Sequence, residues 1–278
     1  MALKKLLAVS ATMAVAVLGA ALQAADECDS GEPSAELVAA AVQMAANDKV
    51  AAAFASTEKR ADVDVPTYVH VISSSNSESD GNISDDKVRA GIDVMNTNYA
   101  GSGFKFTLKD IDHTINADWT TTEKKAMKDK LHKGDFKTLN LYLLPSFIRS
   151  EDDKTSLNGR CTFPDSNSAS APKPDGCIVR TKAWDNKQTT THEVGHWLGL
   201  FHTFQGETSS KSCDANNDYV DDTPAMKKDS KDCSGDADTC PSAGKDPVTN
   251  FMSYAACRTK FTSGQFTRMK TMYNKYRA

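Results

Sequence analysis

The chain carries no strong excess of either charge: 33 Lys and Arg against 37 Asp and Glu leave a formal net charge of −4 over 278 residues. Aromatic residues make up only 8%, and no basic stripe with interleaved aromatics occurs, so a nucleic-acid partner is not expected. Past Ala25 no stretch is long and apolar enough to span a bilayer. Nor is any internal repeat visible, which excludes a solenoid.

What is present begins with MALKKLLAVSATMAVAVLGAALQAA: two lysines, an apolar run, then small residues. That layout reads as a secretory signal peptide over 1–24, cleaved between Gly19 and Ala25. A short membrane anchor is the competing reading, against which the alanine-rich exit argues. Residues 25–60 form a second zone, polar from Asp26 to Pro33 and alanine-rich from Ala35 to Ala55, with too little large apolar surface for a core of its own. It ends at Lys59-Arg60, where strand-like alternation begins, and is read as a prosegment released by cleavage after Arg60. The remaining 61–278 is long enough for one sizeable core, or a large and a small lobe, with no stable membrane association expected once the signal is removed.

Seven cysteines in such a chain suggest three bridges and one odd thiol. Cys28, in the prosegment, is the natural odd one. The other six are Cys161, Cys177, Cys213, Cys233, Cys240 and Cys257, and sequence alone leaves every connectivity among them open.

The chemistry is concentrated in residues 191–204, THEVGHWLGLFHTF. His192 and His196 lie four apart, so on a helix they project from one face and can share a metal ion. Glu193 points elsewhere and is free to handle water beside that ion. Gly199 can take positive φ, stop the helix and let the chain bring His202 back toward the same point. Three ligands leave the fourth position open that a catalytic zinc needs. A His-Glu-x-x-His string alone arises by chance in about one chain in a hundred of this length, and the glycine and third histidine lower that roughly a thousandfold.

Hydrophobic periodicity predicts strands over 64–73, 104–111, 139–144 and 176–180, with helices over 85–98, about 121–132 and the histidine segment. The order implies an α/β layer with a mixed sheet over the histidine helix. Residues 205–249 are polar and need covalent staples to be ordered. Phe261 to Tyr276 reads as an amphipathic helix that packs back on the domain. Asn82-Ile83-Ser84 is the one acceptor triplet for N-linked sugar.

His192, Glu193, His196, Gly199 and His202, with Asn250-Phe251-Met252-Ser253-Tyr254 as a methionine turn, resemble the metzincin metalloproteases. HEVGHWLGLFHTFQG, YVDDTPA at 219–225 and NFMSY together look like the pappalysin-type group, in particular its small secreted fungal and bacterial members. The resemblance implies an α+β fold: an upper lobe (about 61–202) with a twisted mixed sheet and two long helices, a smaller irregular lower lobe (about 203–278), and the cleft between. It implies pairing of Cys213 with Cys240 and Cys233 with Cys257, leaving Cys161 and Cys177 to each other. It also implies a secreted, extracellular zinc endopeptidase acting as a monomer on protein or peptide substrates. Glu193 would be the general base and acid, Met252 the apolar floor under the metal, and Tyr254 a donor to the tetrahedral intermediate; the other reading of Tyr254 is a buried phenol bonded elsewhere. Several metzincin zymogens block the metal with a prosegment cysteine, so Cys28 is either a latency switch or is simply discarded.

Asp218, Asp221, Asp222 and the carbonyls near Val220 and Thr223 can form a calcium site, and Asp218 and Thr223 match calcium positions of the family. A solvated, turn-rich loop is the other reading. For the whole chain the competing function is a secreted zinc-binding or adhesion module that has lost catalysis. Glu193 and Tyr254 argue against it, because a structural site needs neither.

Overall fold

The computed structural model describes residues 26–53, 62–165, 175–184, 188–205, 213, 217–240 and 244–278. The expected signal peptide and the Arg60 junction lie outside those residues. One six-stranded sheet organises the fold: β1 (Asp26–Cys28), β2 (Val63–Ser73), β3 (Phe104–Ile115), β4 (Leu139–Leu144), β5 (Leu157–Cys161) and β6 (Cys177–Arg180). Their spatial order is β1-β5-β6-β4-β2-β3, with β5 antiparallel to β6 and every other pair parallel.

The central strand β4, LNLYLL, is buried along its whole length, as a parallel strand covered on both faces must be. Its residues alternate between two apolar layers. Leu139, Leu141 and Leu143 join Val69, Val71 and Val179 on one face, against the helices α2 (Asp85–Asn98) and α5 (Thr189–Trp197). Tyr142 and Leu144 join Ile72 and Ile178 on the other, against Met127 and Leu131 of α3 (Lys125–Leu131). Burying each such side chain contributes about 1.5–3 kcal/mol. Pro66 is tolerated inside β2 because β4 begins pairing only at Thr67, so no ladder bond on that side is lost.

Two expectations are corrected. The helix expected over 121–132 starts only at Lys125, its backbone extended at Lys124. No strand is expected at β5 from sequence: LNGRC is only five residues long with a glycine at its centre, and its place is fixed by pairing with β6 and by the disulfide Cys161–Cys177 across that pair.

The helix α1 (Ala35–Ala53), within the region read as a prosegment, seats Leu37, Ala40, Ala41 and Met44 against Phe201, Met272 and Tyr276. A short helical turn, α4 (Thr181–Trp184), leads toward α5. The polar segment after His202 is stapled by Cys213–Cys240 and Cys233–Cys257. The chain closes with α6 (Ser263–Tyr276), started by a capping box in which Thr262 and Gln265 bond each other's backbone N–H. Its Met269 and Tyr273 enter the same core as the sheet. Arg277 then caps the far end of α5: its guanidinium lies 3.8 Å from the Trp197 ring, donates to the Trp197 carbonyl at 2.9 Å and pairs with buried Asp175 at 2.7 Å.

Candidate active site

All nine residues of α5 are buried, so His192, Glu193 and His196 are held on a rigid, dry element. The helix ends at Leu198, and Gly199 at φ +89° turns the chain; a side chain there would also strike Met272. That turn places the Leu200 carbonyl 2.8 Å from His196 Nδ1 and carries His202 back to the helix. His192 Nδ1 reaches the Phe251 carbonyl at 2.6 Å, and His202 Nδ1 reaches Gln205 Oε1 at 3.2 Å.

Each carbonyl can only accept, so each Nδ1 is the donor and each Nε2 keeps its lone pair. The Nε2 atoms converge: His196 is 3.2 Å from His192 and 3.1 Å from His202. Nitrogens bound 2.0–2.1 Å from one tetrahedral ion stand about 3.3 Å apart. Three facing lone pairs at this spacing require a cation among them, so the residues fit a shared metal. Burial pushes all three imidazoles toward the neutral form a ligand needs. His192 and His202 fall well below the ordinary histidine value, each lowered first by burial and then by His196, and His196 falls to about 4 through burial.

Beneath the histidines, Met252 is fully buried, and a side chain at Gly195 would overlap its sulfur. The Tyr254 ring lies edge-on to His202, centroids 5.0 Å apart. Glu193 lies against β5, where Gly159 has no side chain to obstruct its carboxylate.

The region read as a prosegment runs through this site. β1 extends the sheet beside β5, and Cys28 is buried. One ligand atom each from Cys28, His192, His196 and His202 lie within 4.8 Å of one another. Cys28 Sγ is 3.4 Å from Glu193 Oε2, and the Cys28 carbonyl accepts from the Tyr254 hydroxyl at 2.9 Å. Burial first, and the Glu193 charge second, push this thiol well above its ordinary value. Ser30 donates to Glu193 Oε2 at 3.3 Å and accepts the Cys161 N–H at 3.1 Å. Gln205, which orients His202, donates through its amide nitrogen to Glu32 at 2.6 Å.

Away from the histidines, the Asp218 and Thr223 side chains lie close to each other, and Tyr219 between them in sequence takes a left-handed φ of +58°. The Thr223 hydroxyl lies beside the buried Asp218 carboxylate, and Asn217 Oδ1 is buried without a hydrogen-bond partner, oxygens of the kind a hard cation takes. Asp222 is not part of it: its carboxylate caps the start of α6, accepting from Ser263 Oγ and the Gly264 N–H. Sequence reading missed Asn217, Gly159, Ser30 and the three orienting carbonyl groups. Gly159, Ser30 and the Phe251 carbonyl are defined by partners distant in the chain, whereas Leu200 and Gln205 lie four and three residues from the histidines they orient and act through groups no motif spacing marks.

The model of the M43 peptidase family, described as pregnancy-associated plasma protein-A, matches residues 121–274, over half of the chain. The chain belongs to the M43 peptidases. It is 39% identical over 264 residues to an extracellular metalloprotease of Pyricularia oryzae, covering 90% of this chain and 89% of that one. With extracellular metalloprotease 1 of Coccidioides posadasii the identity is 40% over 250 residues, covering 84% and 86%. Mature mirolysin of Tannerella forsythia, in complex with a cleaved peptide, shares the fold: TM-score 0.58 and 23% identity, over 77% of this chain and 92% of that one. This M43 peptidase is thus a zinc metalloendopeptidase, with the mixed α/β fold it shares with mirolysin. Among its described residues no helix is long and apolar enough to cross a membrane.

Proposed function

We propose that the chain is a secreted zymogen, with a signal peptide over 1–24 and a prosegment over 25–60, whose mature region hydrolyses peptide bonds within proteins. His192, His196 and His202 hold the zinc, and the observation carrying this reading is the convergence of their three Nε2 atoms while each Nδ1 is tied to a carbonyl. The zinc, when bound, supplies a Lewis acid that acidifies water and polarises a carbonyl. Glu193 is the proton carrier: it takes a proton from the attacking water as the new C–O bond forms, then delivers it to the amine nitrogen as the C–N bond breaks. Tyr254 donates its hydroxyl to the substrate carbonyl oxygen as charge develops there, the bond it now makes to the Cys28 carbonyl. Met252 packs beneath the ligands and does no chemistry.

Cys28 is the latency switch. Its sulfur lies in one group, within 4.8 Å, with a ligand atom of each of the three histidines, its carbonyl takes the Tyr254 hydroxyl, and with Ser30 it occupies the Glu193 carboxylate, so all three parts of the machinery would be engaged at once. A thiolate ligand on zinc offsets the cost of ionising a buried thiol. At the second site Asp218 and Thr223, with Asn217, hold calcium, which supplies the charge their buried oxygens lack.

The test is casein hydrolysis by the processed enzyme with and without a zinc chelator, alongside Glu193→Gln. The expected result is activity abolished by chelation and restored by zinc, and a loss of at least about a thousandfold in the variant with zinc still bound. Near-normal turnover by zinc-loaded Glu193→Gln would falsify this mechanism.

A further inference from the structure

The residue after Cys28 is held in a way that neither latency nor the hydrolytic machinery requires. Asp29 Oδ2 accepts from Arg149 Nε at 2.8 Å and from Arg160 Nη2 at 2.7 Å, while Arg160 Nε donates to the Asp29 carbonyl at 2.7 Å. Two guanidinium groups thus meet on one carboxylate oxygen. Each is steadied from its other side by a carboxylate of the mature region: Asp153 lies 3.0 Å from Arg149 Nη1, and Glu123 lies 3.5 Å from Arg160 Nη1. Asp153 is itself fixed by the Thr155 N–H and hydroxyl, and Glu123 by Lys128 at 2.6 Å. Arg160 also lies over the Phe147 ring. The pair is therefore positioned by residues that stay when the prosegment leaves.

Asp29 also lies along the edge of β5. Its N–H points to the Gly159 carbonyl at 3.4 Å, on the strand edge that β1 covers, and its neighbour Cys28 faces the histidines. A side chain seated where Asp29 sits is within one residue of the position facing the metal. Beside it opens a cavity of about 610 Å³ lined by both arginines together with Lys124, Lys125, Glu123 and Glu151, so its walls carry more positive than negative charge.

We infer that Arg149 and Arg160 form a subsite of the mature enzyme for an aspartate or glutamate side chain flanking the scissile bond, with Asp29 its occupant in the zymogen. The inference rests on the protease reading and on the prosegment occupying the substrate cleft. Doubly charge-assisted contacts of this kind discriminate a carboxylate from its amide isostere because the amide brings no charge to the two guanidinium groups.

Peptide pairs that differ only in Asp against Asn, or Glu against Gln, at each position around one cleavable bond provide the test with processed enzyme. The acidic member is expected to have a kcat/KM higher by about tenfold or more at one flanking position. In the double variant Arg149→Gln, Arg160→Gln that ratio should fall to about one, and in Arg160→Glu a lysine at the same position should become the better substrate. Thermal unfolding and a zinc content of one ion per chain show that the variants are folded. Equal cleavage of acidic and neutral peptides at every flanking position, by wild-type enzyme active on casein, overturns the subsite and leaves the protease reading intact. So does an acidic preference that survives unchanged in the double variant. Wild-type enzyme inactive on casein with zinc bound rejects the protease reading instead.

Discussion

Gly159 of β5 and Glu193 of α5 meet so closely that a methyl group on the glycine would lie 2.5 Å from Glu193 Cγ and 2.6 Å from Oε1. The strand edge and the Glu193 carboxylate, the proposed proton carrier, are in contact only because the strand has no side chain at that point. Gly159→Ala must therefore move either the strand or the carboxylate. Glu193 is the more movable, so kcat should fall by about ten- to a hundredfold, since a misplacement near 1 Å costs on that order. The three histidines are untouched, and zinc content measured on the same sample should stay at one ion per chain. Wild-type kcat in Gly159→Ala would show that the Glu193 position is not critical.

That contact also marks where the sequence stops being informative. His192, Glu193, His196 and Gly199 are legible because their chemistry depends on helical spacing within eight residues. The strand β2 is legible because one-sided burial at its start imposes alternation, and β4 because burial on both faces leaves a short apolar run. Gly159, Ser30 and Asn217 act through partners far away in sequence or through an unfilled hydrogen-bonding atom, and a single chain carries no local trace of that. Asp222 shows the converse: an aspartate in a plausible ligand loop was taken for metal binding, whereas its carboxylate is used to cap α6.

Cys28 ties the proposed prosegment to the histidines, to Glu193 and, through its carbonyl, to Tyr254. Cys28→Ala removes the sulfur and leaves the backbone contact, while Leu37, Ala40, Ala41 and Met44 still hold α1 in place. The precursor should then gain partial peptidase activity, at least about tenfold over the unprocessed wild type, with Cys28→Ser intermediate because an alcohol is a far poorer zinc ligand than a thiolate. Assays use precursor whose intact mass shows no processing. No gain in Cys28→Ala means the cysteine is merely discarded with its segment.

Burial raises the Asp218 carboxyl from 3.8 to about 7 in the absence of a cation. Between those values the folded chain keeps a proton that the unfolded chain has released, so metal-free stability falls as pH rises from about 4 to 7. Calcium binds the deprotonated form and cancels that loss. The increase in Tm on adding calcium to zinc-replete protein should accordingly be several degrees at pH 8 and much smaller at pH 5. Asp218→Asn should abolish the increase at both. A calcium response that is absent at pH 8, or equal at the two pH values, rejects the site.

Asp175 and Arg277 close the far end of α5, and both side chains are nearly inaccessible. Burial by itself would raise the Asp175 carboxyl, yet Arg277, the Trp197 indole N–H and the Gly176 N–H outweigh it and hold the group below its ordinary value. The ion pair therefore stabilises the fold above the unfolded carboxyl value, and its contribution is lost as pH falls through the lower folded value. Asp175→Ala strands a buried guanidinium stacked on Trp197 and should cost about 3–5 kcal/mol, the penalty for breaking one side of a buried pair. Arg277→Met removes the cation but leaves Asp175 its two N–H donors, so it should cost less and shift the carboxyl upward. Because Trp197 follows His196 directly, the Asp175→Ala loss should appear at the metal site too, as faster zinc release to a chelator. Chemical unfolding at pH 7 measures the first effect and chelator kinetics the second; a stability loss without faster release would mean that the end of α5 is held independently of the metal ligands.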